Sequence, residues 1–279
     1  MSLFARLRDV LFPPITSAEF REFRALKPKR ICFGSTHRTA LKRKDGSSVV
    51  GSLTLPFNET IGAVLPWGLF KSKFGGYFRG IKTADEFARI EAWIEDRRDL
   101  VFIRSLLTTA VAAGEHFTED GTRSNIGNLE HAAKYGGDVH AREQLAAILL
   151  AAFNKVHGDR QIDAIAAVPA STAGAFSLPV ELADSLSATT GIANISAHLR
   201  WGGAKAKIKE TAVDAKWNAL EATGFELQTD VNGKSILLID DMYQSGATVH
   251  YVASRLREAG ANEIHCLAVS KGRRDTDNT

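Results

Sequence analysis

Two adjacent acids, Asp240 and Asp241, end an apolar run that begins at Ser235, and Met242-Tyr243-Gln244-Ser245-Gly246-Ala247-Thr248 follows directly. Val249, Val252, Ala253 and Leu256 then recur at helical spacing, so the segment reads as strand, tight loop, helix. Gly246 permits unusual backbone angles and close approach. Successive amide hydrogens at a helix N-terminus make a cradle for phosphate, which assigns that role to Gln244, Ser245, Gly246, Ala247 and Thr248, with hydroxyls from Ser245 and Thr248. The sequence has no GxxxxGK[ST] pattern, so this is not a Walker loop. Carboxylates repel phosphate. The pairing makes chemical sense if a sugar lies between them, its hydroxyls on Asp240 and Asp241 and its phosphate in the loop, or if a cation sits nearby. The plainer alternative is an ordinary strand-to-helix turn that happens to carry acids.

The elements that position this segment are orderly from about residue 129. Leu145 to Val156 predicts a helix, and Ile162 to Val168, ending at Pro169-Ala170-Ser171, a buried parallel strand. Leu178 to Thr189 predicts a helix and Ile192 to Leu199 a further strand. After a polar, lysine-rich stretch, Arg200 to Lys216, come strand 235–239, helix 248–259 and strand 263–269. Strands alternating with helices imply an α/β domain whose mainly parallel sheet is flanked by helices, with ligands gathering at the carboxyl ends of the strands. The front reads as a basic α+β module. It has a short amphipathic helix before Pro13-Pro14, a helix at 17–26 and strand character at 30–35 and 48–55, and 84–113 is mostly helical. A soft boundary near residue 120 divides a module of 1–120 from a domain of 121–279.

Composition is that of an ordinary globular chain, with 44% hydrophobic and 24% charged residues among 279, which excludes collagen-like and wholly disordered classes. The net charge of +3 conceals an asymmetry. Residues 1–82 carry 15 Lys+Arg against 5 Asp+Glu, and the remainder carries 20 against 27. A basic front faces nucleic acid, phosphate or the acidic remainder of the chain, or is simply a solvated surface. From Trp67 to Lys82, Phe70, Phe74, Tyr77 and Phe78 interleave with Lys71, Lys73 and Arg79. That pattern suits single-stranded nucleic acid and equally an aromatic core with basic edges. Two isolated cysteines, Cys32 and Cys266, make neither a disulfide framework nor a cysteine zinc site. Without an apolar stretch long enough to cross a bilayer or a secretory core, the expectation is a cytoplasmic protein with no membrane partner.

On its apolar strand, acid pair and small-residue loop, the segment 235–249 resembles the 5-phosphoribosyl-1-pyrophosphate (PRPP) motif of type I phosphoribosyltransferases. Lys134-Tyr135-Gly136-Gly137 and Leu11-Phe12-Pro13-Pro14 are similar to the ComF-like branch, as are the strand before Pro169 and the helix 182–191. That branch usually carries an N-terminal cysteine zinc finger, absent here. Gln244 stands where the 6-oxopurine enzymes carry an acid, which disfavours purine salvage.

The resemblance implies the type I phosphoribosyltransferase fold for 121–279 and displacement of pyrophosphate from ribose C1 by a nitrogen nucleophile. Asp240 and Asp241 would hold the ribose and favour its oxocarbenium-like transition state. Backbone amides around Ala170 and Ser171 would face the pyrophosphate. Magnesium would be held mainly by ligand and water oxygens, with no firm protein ligand. Lys205, Lys207 and Lys209 would close as a lid, or form a solvated loop. No general base stands out: His198 and His250 read as structural or exposed, while Trp201 and Trp217, which border the lid, read as packing ahead of stacking on the nucleophile's ring. The partner expectations are PRPP, an unidentified nitrogen nucleophile, nucleic acid through the basic front and a second copy of the chain as a homodimer. The alternative function is a PRPP-sensing or nucleic-acid-binding accessory with weak catalysis, in competence, DNA uptake or regulation.

Overall fold

Apolar runs alternating with amphipathic stretches have to bury both faces of a sheet. The computed structural model, which describes residues 12–34, 41–43, 50–170, 174–203 and 213–272, shows that arrangement. In chain order its strands are β1 (Arg30–Cys32), β2 (Lys42–Arg43), β3 (Gly51–Leu55), β4 (Phe70–Lys71), β5 (Tyr77–Ile81), β6 (Val101–Ile103), β7 (Thr109–Glu115), β8 (Ala164–Ala167), β9 (Leu199–Trp201), β10 (Phe225–Leu227), β11 (Ile236–Tyr243) and β12 (Ile264–Lys271). The helices are α1 (Ser17–Ala25), α2 (Ile61–Val64), α3 (Ala84–Asp96), α4 (Asn125–Tyr135), α5 (Val139–His157), α6 (Leu178–Thr190), α7 (Val213–Thr223) and α8 (Ala247–Glu258).

The main sheet runs β1-β6-β7-β12-β11-β8. Its four strands from β7 to β8 are mutually parallel, and β6 and β1 continue it antiparallel. Alternation along β11 sends Leu237 and Ile239 to one face with Leu145, Leu149 and Leu182 of α5 and α6. Ile236 and Leu238 go to the other face with Phe20, Trp217 and Val252 of α1, α7 and α8. All four β11 residues are fully buried, as expected for a parallel sheet covered on both sides. Among the described residues, no helix is long and apolar enough to cross a membrane.

The front is bound into this architecture. β1, β6 and β7 lie in the same sheet as β8, β11 and β12, so the sheet is continuous across residue 120. A second, antiparallel sheet, β2-β3-β5-β4, turns Leu53, Leu55 and Ile81 into the same core as Phe87 and Ile90 of α3. α1 begins with a capping box, in which Thr16 and Glu19 each accept the other's backbone N–H. Ser254 and Arg257 of α8 donate to the Ile15 and Pro13 carbonyls and tie this segment down.

Two expected elements differ. The helix expected over 84–113 ends at Asp96, and the alanine-rich stretch beyond it is β7, buried from Thr109 to Gly114. Alanine favours helix only when tertiary burial does not decide, and here β12 and β6 enclose the segment. The strand expected over 192–199 reduces to one bridge, Asn194 to Ile165, followed by a 3-10 turn at Ser196–His198 and then β9, which pairs with β10. Asn194 Oδ1 accepts from the Ser196 amide, and the Ser196 hydroxyl accepts from the Ala167 amide. These side chains take backbone groups that a ladder would otherwise use. The opening amphipathic helix before Pro13 and much of the loop at 42–46 lie outside the described residues.

Candidate active site

β11 runs on to Tyr243, so Asp240 and Asp241 sit within its carboxyl end rather than beyond it. The loop turns at Gly246, the N-cap of α8, with φ 75°. Glycine is required here on two grounds: an added Cβ would sit in a left-handed conformation and only 2.3 Å from the Tyr243 hydroxyl oxygen. Three successive carbonyls are held from outside the loop. Lys271 Nζ donates to Gln244 O at 3.4 Å, Arg24 Nη1 of α1 to Ser245 O at 2.6 Å, and His250 Nδ1 to Gly246 O at 2.8 Å. Because a trans peptide points its N–H opposite its C=O, this turns the amide hydrogens of Ser245, Gly246 and Ala247 the other way.

His250 is therefore a brace. The Leu106 amide donates to its Nε2, and the Ser105 hydroxyl lies 3.1 Å from the same nitrogen, leaving Nδ1 as the protonated position. Burial brings its pKa down to about 4 against the Gly246 hydrogen bond, so the ring is neutral near pH 7. Burial likewise pushes the Tyr243 hydroxyl up.

The acid pair has a resident cation. Lys134 Nζ of α4 lies 2.5 Å from Asp241 Oδ2 and 2.9 Å from Glu130 Oε1. Glu130 Oε2 in turn accepts from Ser270 Oγ at 2.6 Å, and His116 Nδ1 stands 3.2 Å away. Burial disfavours the Lys134 charge, but Asp241 and Glu130 outweigh it and raise the ammonium above its ordinary value. Burial also opposes the Glu130 carboxylate, and His116, Lys134 and Ser270 overcome it and lower its pKa. Asp241 Oδ1 accepts the Met242 amide and Asp240 Oδ1 the Asp241 amide.

Asp240, Asp241, Lys134, Glu130 and His116 line one open cavity of about 860 Å³, together with Gln244 to Thr248, Pro169, Ala170, Lys216, Arg123, His131 and Tyr135. It is large enough for a ligand of nucleotide size. The structure thus brings Asp240, Asp241, Gln244 to Thr248 and Ala170 together. Ser171 and the expected lid residues Lys205, Lys207 and Lys209 lie outside the described residues, whereas Lys216 at the end of that stretch is buried in the cavity wall. Trp201 Nε1 donates to Pro169 O and stacks on Tyr251, and Trp217 is buried against Phe20, so both tryptophans serve packing. Tyr135 is exposed and touches the His131 ring. Sequence reasoning missed Glu130, His116, Ser270 and Arg24. The spacing of Glu130 and Lys134 on one helix face was the available signal for the first. The others meet only through the fold. Among the described residues, no group of three or more His, Cys, Asp or Glu is arranged to hold a metal ion.

The family model described as "Phosphoribosyl transferase domain" matches residues 137–279. The chain belongs to this family. Phosphoribosyl transfer is accordingly the general chemistry of this phosphoribosyltransferase, and its matched region includes the strand, acid pair and loop. Similar solved structures include adenine phosphoribosyltransferase from Saccharomyces cerevisiae, at 15% identity and TM-score 0.35, covering 49% of this chain and 71% of that one. Phosphoribosylpyrophosphate synthetase from Mycobacterium smegmatis is 19% identical at TM-score 0.30, covering 46% and 33%. Adenine phosphoribosyltransferase from Thermoanaerobacter pseudethanolicus is 16% identical at TM-score 0.33, covering 48% and 82%. No curated protein matches the chain significantly. The match begins after Lys134, so the cation and the Glu130–His116 support lie upstream of the family's matched segment.

Proposed function

We propose that this phosphoribosyltransferase binds PRPP and transfers its phosphoribosyl group, with magnesium, to a nitrogen nucleophile. The observation that carries the reading is that Asp240, Asp241 and the loop from Gln244 to Thr248 line one cavity, while Lys271, Arg24 and His250 tie the loop's carbonyls away. In this reading the loop amides take the 5'-phosphate and the two carboxylates accept the ribose hydroxyls. As pyrophosphate leaves, positive charge grows on the sugar, and the ionised acids stabilise it. Lys134 pairs with Asp241 and offsets acid charge next to a polyanion. The Ala170 amide faces the pyrophosphate. Two adjacent carboxylates are hard oxygen donors that suit magnesium alongside ligand and water oxygens. Bound magnesium would neutralise the leaving pyrophosphate.

The finer kinship is with the ComF-like branch, supported by Lys134-Tyr135-Gly136-Gly137, whose lysine lies in the cavity. Gln244 in place of an acid favours an acceptor other than a 6-oxopurine. The test is pyrophosphate release from PRPP over a panel of nucleobases and amines with magnesium. Release with at least one nucleophile, lost in Asp240→Asn/Asp241→Asn, is expected. PRPP binding with no release across the panel would replace transfer by PRPP sensing, and no PRPP binding would overturn both.

A further inference from the structure

The second sheet has an unusual outer face. Its inner side is buried through Gly51, Leu53, Leu55 and Ile81. By register, the outer side carries Lys42, Ser52, Thr54, Phe78, Gly80 and Phe70. The solvent face of an antiparallel sheet is ordinarily polar. Here Phe70 and Phe78 stand as a cross-strand pair with ring centroids 6.1 Å apart, 64% and 41% exposed. Phe74 at the hairpin tip is 88% exposed. Gly80 follows Phe78 on the same face without a side chain. Lys42 is exposed on the same face by register, and exposed Lys73 has its Nζ 5.1 Å from the centre of the Phe74 ring. Lys71 instead pairs with Tyr77 and takes the opposite face, and Arg79 is engaged by Glu86 and the Gly68 carbonyl.

We propose that this face of β2-β3-β5-β4 is a binding platform for single-stranded nucleic acid, separate from the PRPP cavity. The rings offer flat π faces on which successive bases stack, and the lysines offer charge for the phosphodiester backbone. Hydroxyls at Ser52 and Thr54 and the gap at Gly80 break up the apolar area. That composition fits discrete bases between phosphates better than a bilayer or an aliphatic protein surface. The occupant's charge also matches the excess of 15 basic over 5 acidic residues in 1–82.

The test uses the full chain and fluorescein-labelled single-stranded oligonucleotides (oligo-dT and oligo-U), read by anisotropy from about 50 to 200 mM salt. Binding is expected, weakened at least tenfold by Phe70→Ser/Phe78→Ser with an unchanged salt slope. Lys42→Gln/Lys73→Gln should reduce the slope of log K against log salt by about 1.4, from roughly 0.7 per phosphate contact. Thermal melts check folding, and the salt slope of the lysine variant decides the matter if the phenylalanine variant unfolds. Absence of binding at low salt, duplex bound as tightly as single strands, or affinity untouched by both variants overturns it. So does Phe-dependent flotation with anionic phosphatidylglycerol vesicles in place of oligonucleotide binding.

Discussion

Replacing Lys134 by methionine removes the ammonium that contacts both Asp241 and Glu130. Two unit charges about 4 Å apart interact by roughly 4 kcal/mol at an effective dielectric near 20. Fully exposed pairs return about 0–1 kcal/mol net, and stripping one partner from a buried pair costs about 3–5 kcal/mol. The Lys134 and Asp241 side chains are 20% and 27% exposed and Glu130 only 2%, which places this cluster nearer the buried limit. Lys134→Met should therefore cost about 3 kcal/mol of stability. Asp241→Asn on the methionine background should recover part of that loss, giving a Lys134–Asp241 coupling of about 2 kcal/mol, roughly 30-fold in the folding constant. Urea unfolding of wild type, both single variants and the double variant at pH 7 measures it. A coupling below about 0.5 kcal/mol would refute the assignment of Lys134 and Asp241 as an energetically significant charge pair.

Gly246→Ala combines a left-handed conformation with contact on the Tyr243 ring and should cost about 2 kcal/mol or more, with loss of PRPP binding, read by thermal melting and titration. Arg24→Ala frees the Ser245 carbonyl. With a charge-assisted bond worth about 1.5–3 kcal/mol, PRPP affinity should fall at least about tenfold while the far-ultraviolet spectrum is unchanged. The folded pKa of His250, about 4, lies below its ordinary 6.5, so the native state binds fewer protons than the unfolded chain. Its stabilising contribution is complete above pH 6.5 and is lost as pH falls towards 4, about 3 kcal/mol over that window. Burial lowers His157 and His265 as well, which adds to the same trend, and urea unfolding at pH 7 and pH 5 checks the sign.

The strand, acid pair and loop at 236–247 were legible because one short segment holds the apolar run, the acids, Gly246 and the helix start, and all of that logic is local. The four parallel strands were legible except β7. Its Thr109 to Ala113 has small residues with no strand periodicity, and only enclosure by β12 and β6 makes it a strand. For the same reason the front's contribution to the main sheet is hidden: β1, β6 and β7 join it through pairings with no sequence signature. Lys134 was visible within its Lys-Tyr-Gly-Gly segment, but its contact with Asp241 joins positions more than a hundred residues apart. Arg24 is still more remote from Ser245. The aromatic and basic residues of 67–82 left two readings open, and exposure separates them by residue. Trp67 packs against the core, and Phe70, Phe74 and Phe78 face solvent.

The most direct test of the central claim, that residues 240–248 form a PRPP site, is calorimetric titration of the full chain with PRPP, with and without magnesium. Wild type should bind with saturable heat that depends on magnesium, and Asp240→Asn/Asp241→Asn should lose that dependence along with most of the affinity. Equal binding by wild type and the double variant, or no magnesium-dependent binding by wild type, would contradict it.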